Sequence, residues 1–561
     1  MIGFNKNDTT GFDWTDIEDG TTKHFDSNGN ITGKSTAFVD NAVGVMYTHA
    51  NTNTKIQTPD ITMEKFSKES LGVYVSNGKL TVESGTDRSK ININGGEGNV
   101  ALYAKGGEIE YNGDITMGTS SLVTEGGNSS GKGNIGIVAE NDHKVTLNGL
   151  LKTYNANGST RDGIGVYAKD SDVNLLTDYG FQIKDKGVGL YAKNTDTSTG
   201  TMNVRYTGAT TEAGTGAYFK GTGSNSLTNK LDINVDNVSN TTKGMIGIYV
   251  KDANFTNEGD IQVINTDTLG FGIIAINNLV PNTKVINKGN ITLGDSLNPR
   301  EQNIGMYTRE KIIPQELPYI LENKGNIKVG KNGIGIYGKN FSNGDSATLP
   351  NSTIEVGENG IGVYTESGNG NLESGSIKAG KDGVGVYVAG NGGTIRAANT
   401  FNMTLGDGSS DADKGAFGFV NVGSNNKIYS DISNVNLQNN SIYIYSKDTS
   451  GTSANPQIIN NTNITATGKN NYGIYSAGYV VNNGNMNLSA GTGNVGVYSV
   501  NGGTIENISG AITVGGSVPV NDEYGIGMAA GYTWTKKDLL KPVSQRPVQT
   551  TGNIINRGTI N

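Results

Sequence analysis

Nucleophilic or general-base chemistry would have few parts to draw on here, because the sequence holds three histidines (His24, His49 and His143) and no cysteine. Gly294–Leu297 reads Gly-Asp-Ser-Leu, the opening of a serine-esterase signature with Ser296 as nucleophile. Such a hydrolase takes its general base from a downstream histidine, and none follows His143. A polar turn is the expectation for this tetrapeptide. Asp345-Ser346 has the same shortage, and it lacks the glycine that serine proteases place after the serine.

Carboxylates are the next resource. Asp407, Asp411 and Asp413 lie close together in GDGSSDADKG, where they would serve as acids or as a calcium loop. Their spacing matches neither an EF-hand nor the calcium-binding nonapeptide, so a solvated loop is expected. Asp26–Asn30 starts like an EF-hand, but its glycine is misplaced and Ala37 stands where the bidentate glutamate belongs. The expectation is a protein that is not an enzyme and holds no cofactor or metal.

Charge and composition narrow the partners. The 52 acidic and 44 basic residues give a net charge of −8, which gives no support to nucleic-acid binding. No apolar run approaches the ~18 residues of a membrane span, so no insertion into a bilayer is expected of these residues. The first twenty residues lack the basic start and apolar stretch of a secretion signal. Glycine supplies 83 residues and asparagine 72, while proline supplies 10 and tryptophan 2. The apolar share of 34% is low, and isoleucine and valine dominate it, which favours strands.

The elements that must carry these residues repeat. The pattern apolar, Gly or Ala, apolar, Tyr, with variants TGAY at Tyr218 and IYIY at Tyr445, ends at Tyr74, Tyr103, Tyr167, Tyr191, Tyr218, Tyr249, Tyr307, Tyr337, Tyr364, Tyr387, Tyr445, Tyr475 and Tyr498. Degenerate copies end at Val138, Ile274 and Val420, so fifteen intervals cover 424 residues with a mean period of about 28. A second motif, Asn-x-Gly-x-Ile or a close variant, begins at Asn257, Asn287, Asn323, Asn482 and Asn556, with a short apolar piece before it. Three short strands per period, separated by Gly and Asn, predict one coil of a right-handed parallel β-helix, an all-β solenoid of about 18 coils. At ~4.8 Å per coil this would extend about 85 Å. In Ile164-Gly165-Val166-Tyr167, period-two alternation predicts Ile and Val inward and Gly and Tyr outward. The tyrosines would then form a ladder outside the core.

Residues 1–26 carry no repeat, and their aromatics are expected to cap the coil stack or belong to a preceding coil. Residues 27–561 are expected to be one continuous β-helix, cut in mid-coil from something longer. Loops are expected near 118–133, 275–286, 308–322, 338–349 and 530–555. Spacing from the tyrosine position to the next Asn motif assigns 275–286, 308–322 and 338–349 to one corner of three successive coils. Loops on a rigid scaffold are where recognition usually sits. By residue type the binding anchors would be Arg309 and Tyr319 on one loop, with Trp534, Lys536, Lys537 and Arg546 on another.

The Gly-Ile-Gly-Val-Tyr coil with its Asn-x-Gly-x-Ile partner, rich in Gly and Asn and free of Cys, resembles passenger domains of bacterial type V autotransporters. Within these it is most similar to the very large RadD-type fusobacterial adhesins. The resemblance covers nearly the whole chain from about residue 27. It implies an outer-membrane-anchored, extracellular adhesin that attaches cells through a host-cell receptor protein or glycan, or through the surface of a partner bacterium. Two alternatives stand beside it: a lectin binding galactose-type glycans through its aromatics, and a polysaccharide-cleaving β-helix enzyme with convergent carboxylates. Far-UV circular dichroism should show a strand spectrum, and a helix content above about a quarter would contradict the β-helix.

Overall fold

The computed structural model describes residues 11–15, 21–26, 31–36 and 42–561. Within the last range it leaves out 49–52, 58–59, 64–68, 84–89, 95–97, 118–133, 142–144, 153–163, 172, 176–179, 184–186, 198–199, 207–213, 238–243, 265–268, 309–318, 346–351, 411–413, 522, 533–540 and 547. Runs of Ile, Val, Phe and Thr between Gly- and Asn-bearing corners form short strands, as pleated, half-buried surfaces favour. The only helical pieces among the described residues are two 3-10 turns, Pro519–Asn521 and Val543–Gln545.

The chain is a parallel β-helix. Most coils contribute three strands, and most strands pair in parallel with their counterpart one coil later, with breaks after Val173–Leu175 on the second face and after Phe401–Leu405 on the third. Two compact units divide the described chain, Met1–Thr266 and Asp267–Asn561. The Gly-Tyr motif builds the first face, with eight strands in the first unit and ten in the second. In the first unit Val73, Leu102, Ile137, Val166, Leu190, Ala217 and Ile248 are in register along this face. In the second unit Ile273, Met306, Ile336, Val363 and Val386 do the same. A typical coil runs Ile304–Thr308, Ile320–Asn323 and Asn326–Val329, which are its first, second and third strands. Ahead of the coils, Gly11–Thr15, Thr21–Asp26 and Ile31–Thr36 form a three-stranded antiparallel sheet, and the first coil strand is Val43–Tyr47. The non-repeating segment therefore runs about ten residues beyond the predicted boundary at 26.

Facing differs from simple alternation. Val166 and Ala168 are buried, Tyr167 is half-buried as expected, but Ile164 is half-buried too and Gly165 lies inside. The ladder steps over this position, glycine in most coils, pairing Val188 with Thr215 and Leu190 with Ala217, so the strand bends there and the alternation resets. The glycine is needed for space. A methyl on Gly216 would sit 2.6 Å from the carbonyl oxygen of Gly247 and 2.9 Å from Cγ2 of Ile233 on the third face. The inward Ile and Val column is thus the third position of the motif, while the first position is half-buried in some coils, as at Ile164 and Ile361, and buried in others, as at Ile304 and Ile334.

Buried asparagines lock the second strand. In the second unit Asn287 Nδ2 donates to Asn323 Oδ1 at 3.0 Å, and Asn323 donates to Asn343 at 2.8 Å. The ladder resumes from Asn460 through Asn482 and Asn507 to Asn556, each step 2.8 Å. The same Nδ2 also donates to its own corner, as from Asn287 to the Gly289 carbonyl at 2.8 Å and from Asn482 to that of Gly484 at 2.9 Å. Asn-x-Gly is therefore one unit, an amide that closes its own turn and bonds the next coil. Where the ladder passes Ser430, Asn460 Oδ1 is left buried without a donor. At the third corner, Gly330-Lys331-Asn332-Gly333 and Gly357-Glu358-Asn359-Gly360 turn through positive φ at Asn332 (54°) and Asn359 (55°), which asparagine tolerates.

Val166→Asp is expected to destabilise the first unit by about 4 kcal/mol or more, because it buries an unpaired charge, whereas Tyr167→Ser should be much milder. Thermal melts of the two variants check this, and equal losses would mean the facing is wrong.

Candidate functional site

The corners carry the surface features. First corners are tight in several coils, such as the two residues between Tyr337 and Asn340, and enlarged in others. In the 275–286 segment the enlargement spans 277–283. Asn277 is buried there, donating through Nδ2 to Thr283 Oγ1 (2.8 Å) and accepting from Leu279 N (3.1 Å). That clamp pushes Leu279 and Val280 outward, 55% and 36% exposed. The 308–322 segment also leaves a first corner, though Arg309 lies outside the described residues. Tyr319 is a correction: the inward positions 319, 321 and 323 alternate into the second strand, so its ring is fully buried and is not a surface anchor.

The third enlarged segment, 338–349, does not share that corner. Asn340–Asn343 follows Tyr337 at once, and the insertion lies between Asn343 and Thr353, at the second corner. Asn343 occupies the asparagine ladder without the Asn-x-Gly-x-Ile signature, since Gly344-Asp345 follows it, and so its place was not legible. The three predicted loops therefore do not form one patch. In 530–555, Trp534, Lys536 and Lys537 lie outside the described residues, as does the predicted loop at 118–133. Arg546 is half-buried behind the Val543–Gln545 turn and donates from Nε to the Lys541 carbonyl at 3.0 Å. Val543 and Val548 beside it are 74% and 81% exposed.

A first-corner loop that the motif spacing missed, 447–457, is built around Asp448. Its Oδ1 accepts from Ser450 N (2.9 Å) and its Oδ2 from Asn426 N (3.0 Å). Burial acts to raise the carboxyl, but hydrogen bonds from Ser450, Gln457 and Asn426 outweigh it and hold the group below the ordinary carboxylate range. Ser453 of this loop helps wall an open groove of about 730 Å³ over Tyr479, Thr504 and Asn553. At its end Glu506 accepts from Arg557 Nε (2.7 Å) and from Tyr479 Oη (2.9 Å). The Arg557 bond, then that of Tyr479, lowers the Glu506 pKa. The groove is open to solvent, and Ala530, Ile554 and Ile555 add apolar wall to its polar residues.

The tyrosine column is the other regular surface. Tyr167, Tyr191, Tyr218 and Tyr249 stack with centroids 5.3, 4.8 and 4.9 Å apart and planes within 13°. Tyr337, Tyr364 and Tyr387 repeat this at 4.8 and 5.3 Å. Within a stack each ring covers its neighbour's face, and the residues are half-buried. Sugar stacking onto ring faces therefore has little surface to use inside these runs.

The residues weighed for chemistry sit in corners. Ser296 is buried and its Oγ donates to the Glu301 carbonyl at 2.6 Å, while Asp295 Oδ1 accepts from Lys331 N at 2.7 Å. Asp345 pairs with Lys324 at 3.0 Å. Asp407 accepts from Asn439, and Asp411 and Asp413 lie outside the described residues. Among the described residues no group of three or more His, Asp or Glu side chains is placed to hold a metal. No protein-family model, no curated protein and no solved structure matches this chain.

Tyrosine ionisation in the column and in the core gives the fold a pH signature. Burial pushes Tyr475 up to about 12, its neighbours Tyr445, Tyr498 and Tyr472 adding to the shift. Burial also pushes Tyr443 up to about 12, against the hydrogen bonds of Ser430 and Thr462. The folded state keeps protons that an unfolded chain loses near pH 10, so this stabilisation is full below about pH 10 and is lost as pH rises toward about 12. Melting temperature should hold steady up to about pH 9 and fall steeply above about pH 10, with tyrosinate absorbance rising alongside unfolding.

Proposed function

We propose that this chain is the ligand-presenting part of a bacterial surface adhesin, an autotransporter-type passenger that holds variable corner loops on a stiff β-helical scaffold. The observation that carries the reading is the contrast between core and corners in the second unit. Ten coils keep the same inward columns, while first corners enlarge at 277–283, 309–319, 447–457 and 531–551. Insertions of this size cost a closed loop little, and they place apolar tips such as Leu279, Val280, Val543 and Val548 in solvent. The partner is a host-cell receptor, protein or glycan, or the surface of another bacterium, and the protein works at the cell surface.

Two loop-trimmed chains test this. One shortens 309–319 to a two-residue corner like that after Tyr337. The other shortens 531–551 to a three-residue corner like that between Ser499 and Gly503. Both should keep the strand spectrum and melting temperature, and at least one should lose most attachment to host or bacterial cells. Unchanged attachment by both would remove these loops from the function, and no attachment by the untrimmed chain would remove the adhesin reading itself.

A further inference from the structure

Phenols held face to face at fixed spacing have a chemistry of their own. In the second unit Tyr307, Tyr337, Tyr364 and Tyr387 are register partners on successive coils of the first face, and all are half-buried. Their ring centroids are 5.2, 4.8 and 5.3 Å apart, and the last three rings lie within 14° of parallel. Because the backbone is in register and the last three rings are nearly parallel, like atoms of neighbouring rings, including the ring carbons beside each hydroxyl, are separated by roughly the centroid spacing. The Tyr337 hydroxyl donates to Glu366 Oε1, so a carboxylate stands ready for that phenol's proton. The first unit holds a second such run, Tyr167 to Tyr249.

We propose that these columns are sites of oxidative modification, at which a haem peroxidase using hydrogen peroxide couples neighbouring tyrosines of one chain into dityrosine. Each of two phenols loses one electron and its hydroxyl proton, the Tyr337 proton passing to Glu366. The two radicals join through a new carbon–carbon bond between ring carbons ortho to the oxygens. The hydrogens on those carbons then move to the oxygens and restore both phenols. Peroxide takes up the two electrons and two protons, together with two of its own hydrogens, and leaves as two water molecules. Coupling two rings needs both radicals close together, and stacking meets that need because a radical formed on one ring can exchange with the next. Bond formation then requires the two rings to tilt from the stacked spacing toward each other. The inference does not depend on the adhesion reading.

The test treats the whole purified chain with hydrogen peroxide and a haem peroxidase, then follows dityrosine fluorescence and maps cross-linked peptides by mass. The expected products are intramolecular Tyr337–Tyr364, Tyr364–Tyr387 and Tyr191–Tyr218 pairs, each lighter by two hydrogens. Tyr364→Phe keeps a ring in the stack but removes the phenol, so it should abolish both Tyr364 cross-links while the melting temperature stays the same. Glu366→Gln should slow formation of the Tyr337–Tyr364 pair severalfold and leave Tyr191–Tyr218 unaffected. Cross-links found only between chains, or only at tyrosines outside the columns such as the 46% exposed Tyr524, would overturn the proposal. So would column cross-links absent altogether, or a Tyr191–Tyr218 rate that falls with the Glu366 change.

Discussion

Everything in this fold depends on in-register parallel pairing between successive coils. Neighbouring strands lie about 4.8 Å apart, so the nearest neighbour of any side chain is the same position of the next coil. A residue is therefore selected for packing against its own kind. Isoleucine and valine satisfy this inside, where each buried side chain contributes roughly 1.5–3 kcal/mol. Asparagine satisfies it at the second corner because an amide is both donor and acceptor and can bond a copy of itself above and below. Interrupting the column has a visible consequence, the donorless Asn460 oxygen that follows Ser430.

The same constraint explains where variation is allowed. A strand cannot gain a residue without turning its whole inward set outward, whereas a corner can lengthen as long as the next strand returns to register. Asn277 and Asp448 show how an enlarged corner is kept orderly, each using one side chain to gather the backbone groups of its own loop. Such loops have shape and are more than slack, which suits them to presentation.

The tyrosine column follows from the bend at the motif's glycine. With the glycine turned inward against the third face, the third motif position enters the core and the fourth, tyrosine in most coils, reaches the outer side. Ring then meets ring at the strand spacing. Burial raises the pKa of column phenols such as Tyr475, which links the ladder to alkaline stability.

The period, the three strands per coil and the tyrosine and asparagine columns were legible in the sequence, because each is a local pattern repeated many times. Inward Val166 and outward Tyr167 followed from alternation along a strand. The placement of Gly165 and Ile164 did not, since the bend at glycine answers to Ile233-type side chains reaching across from another face, a contact far away in sequence. Nor did the burial of Tyr319, or the transfer of the 344–352 insertion to the second corner. Both depend on which residue occupies a ladder position when its signature is absent, and Asn343 holds that place through its pairing with Asn323. Sequence spacing counts residues along the chain. Only the stacked coils decide which residue stands beside which, because that neighbour is set by hydrogen bonding across about 28 residues.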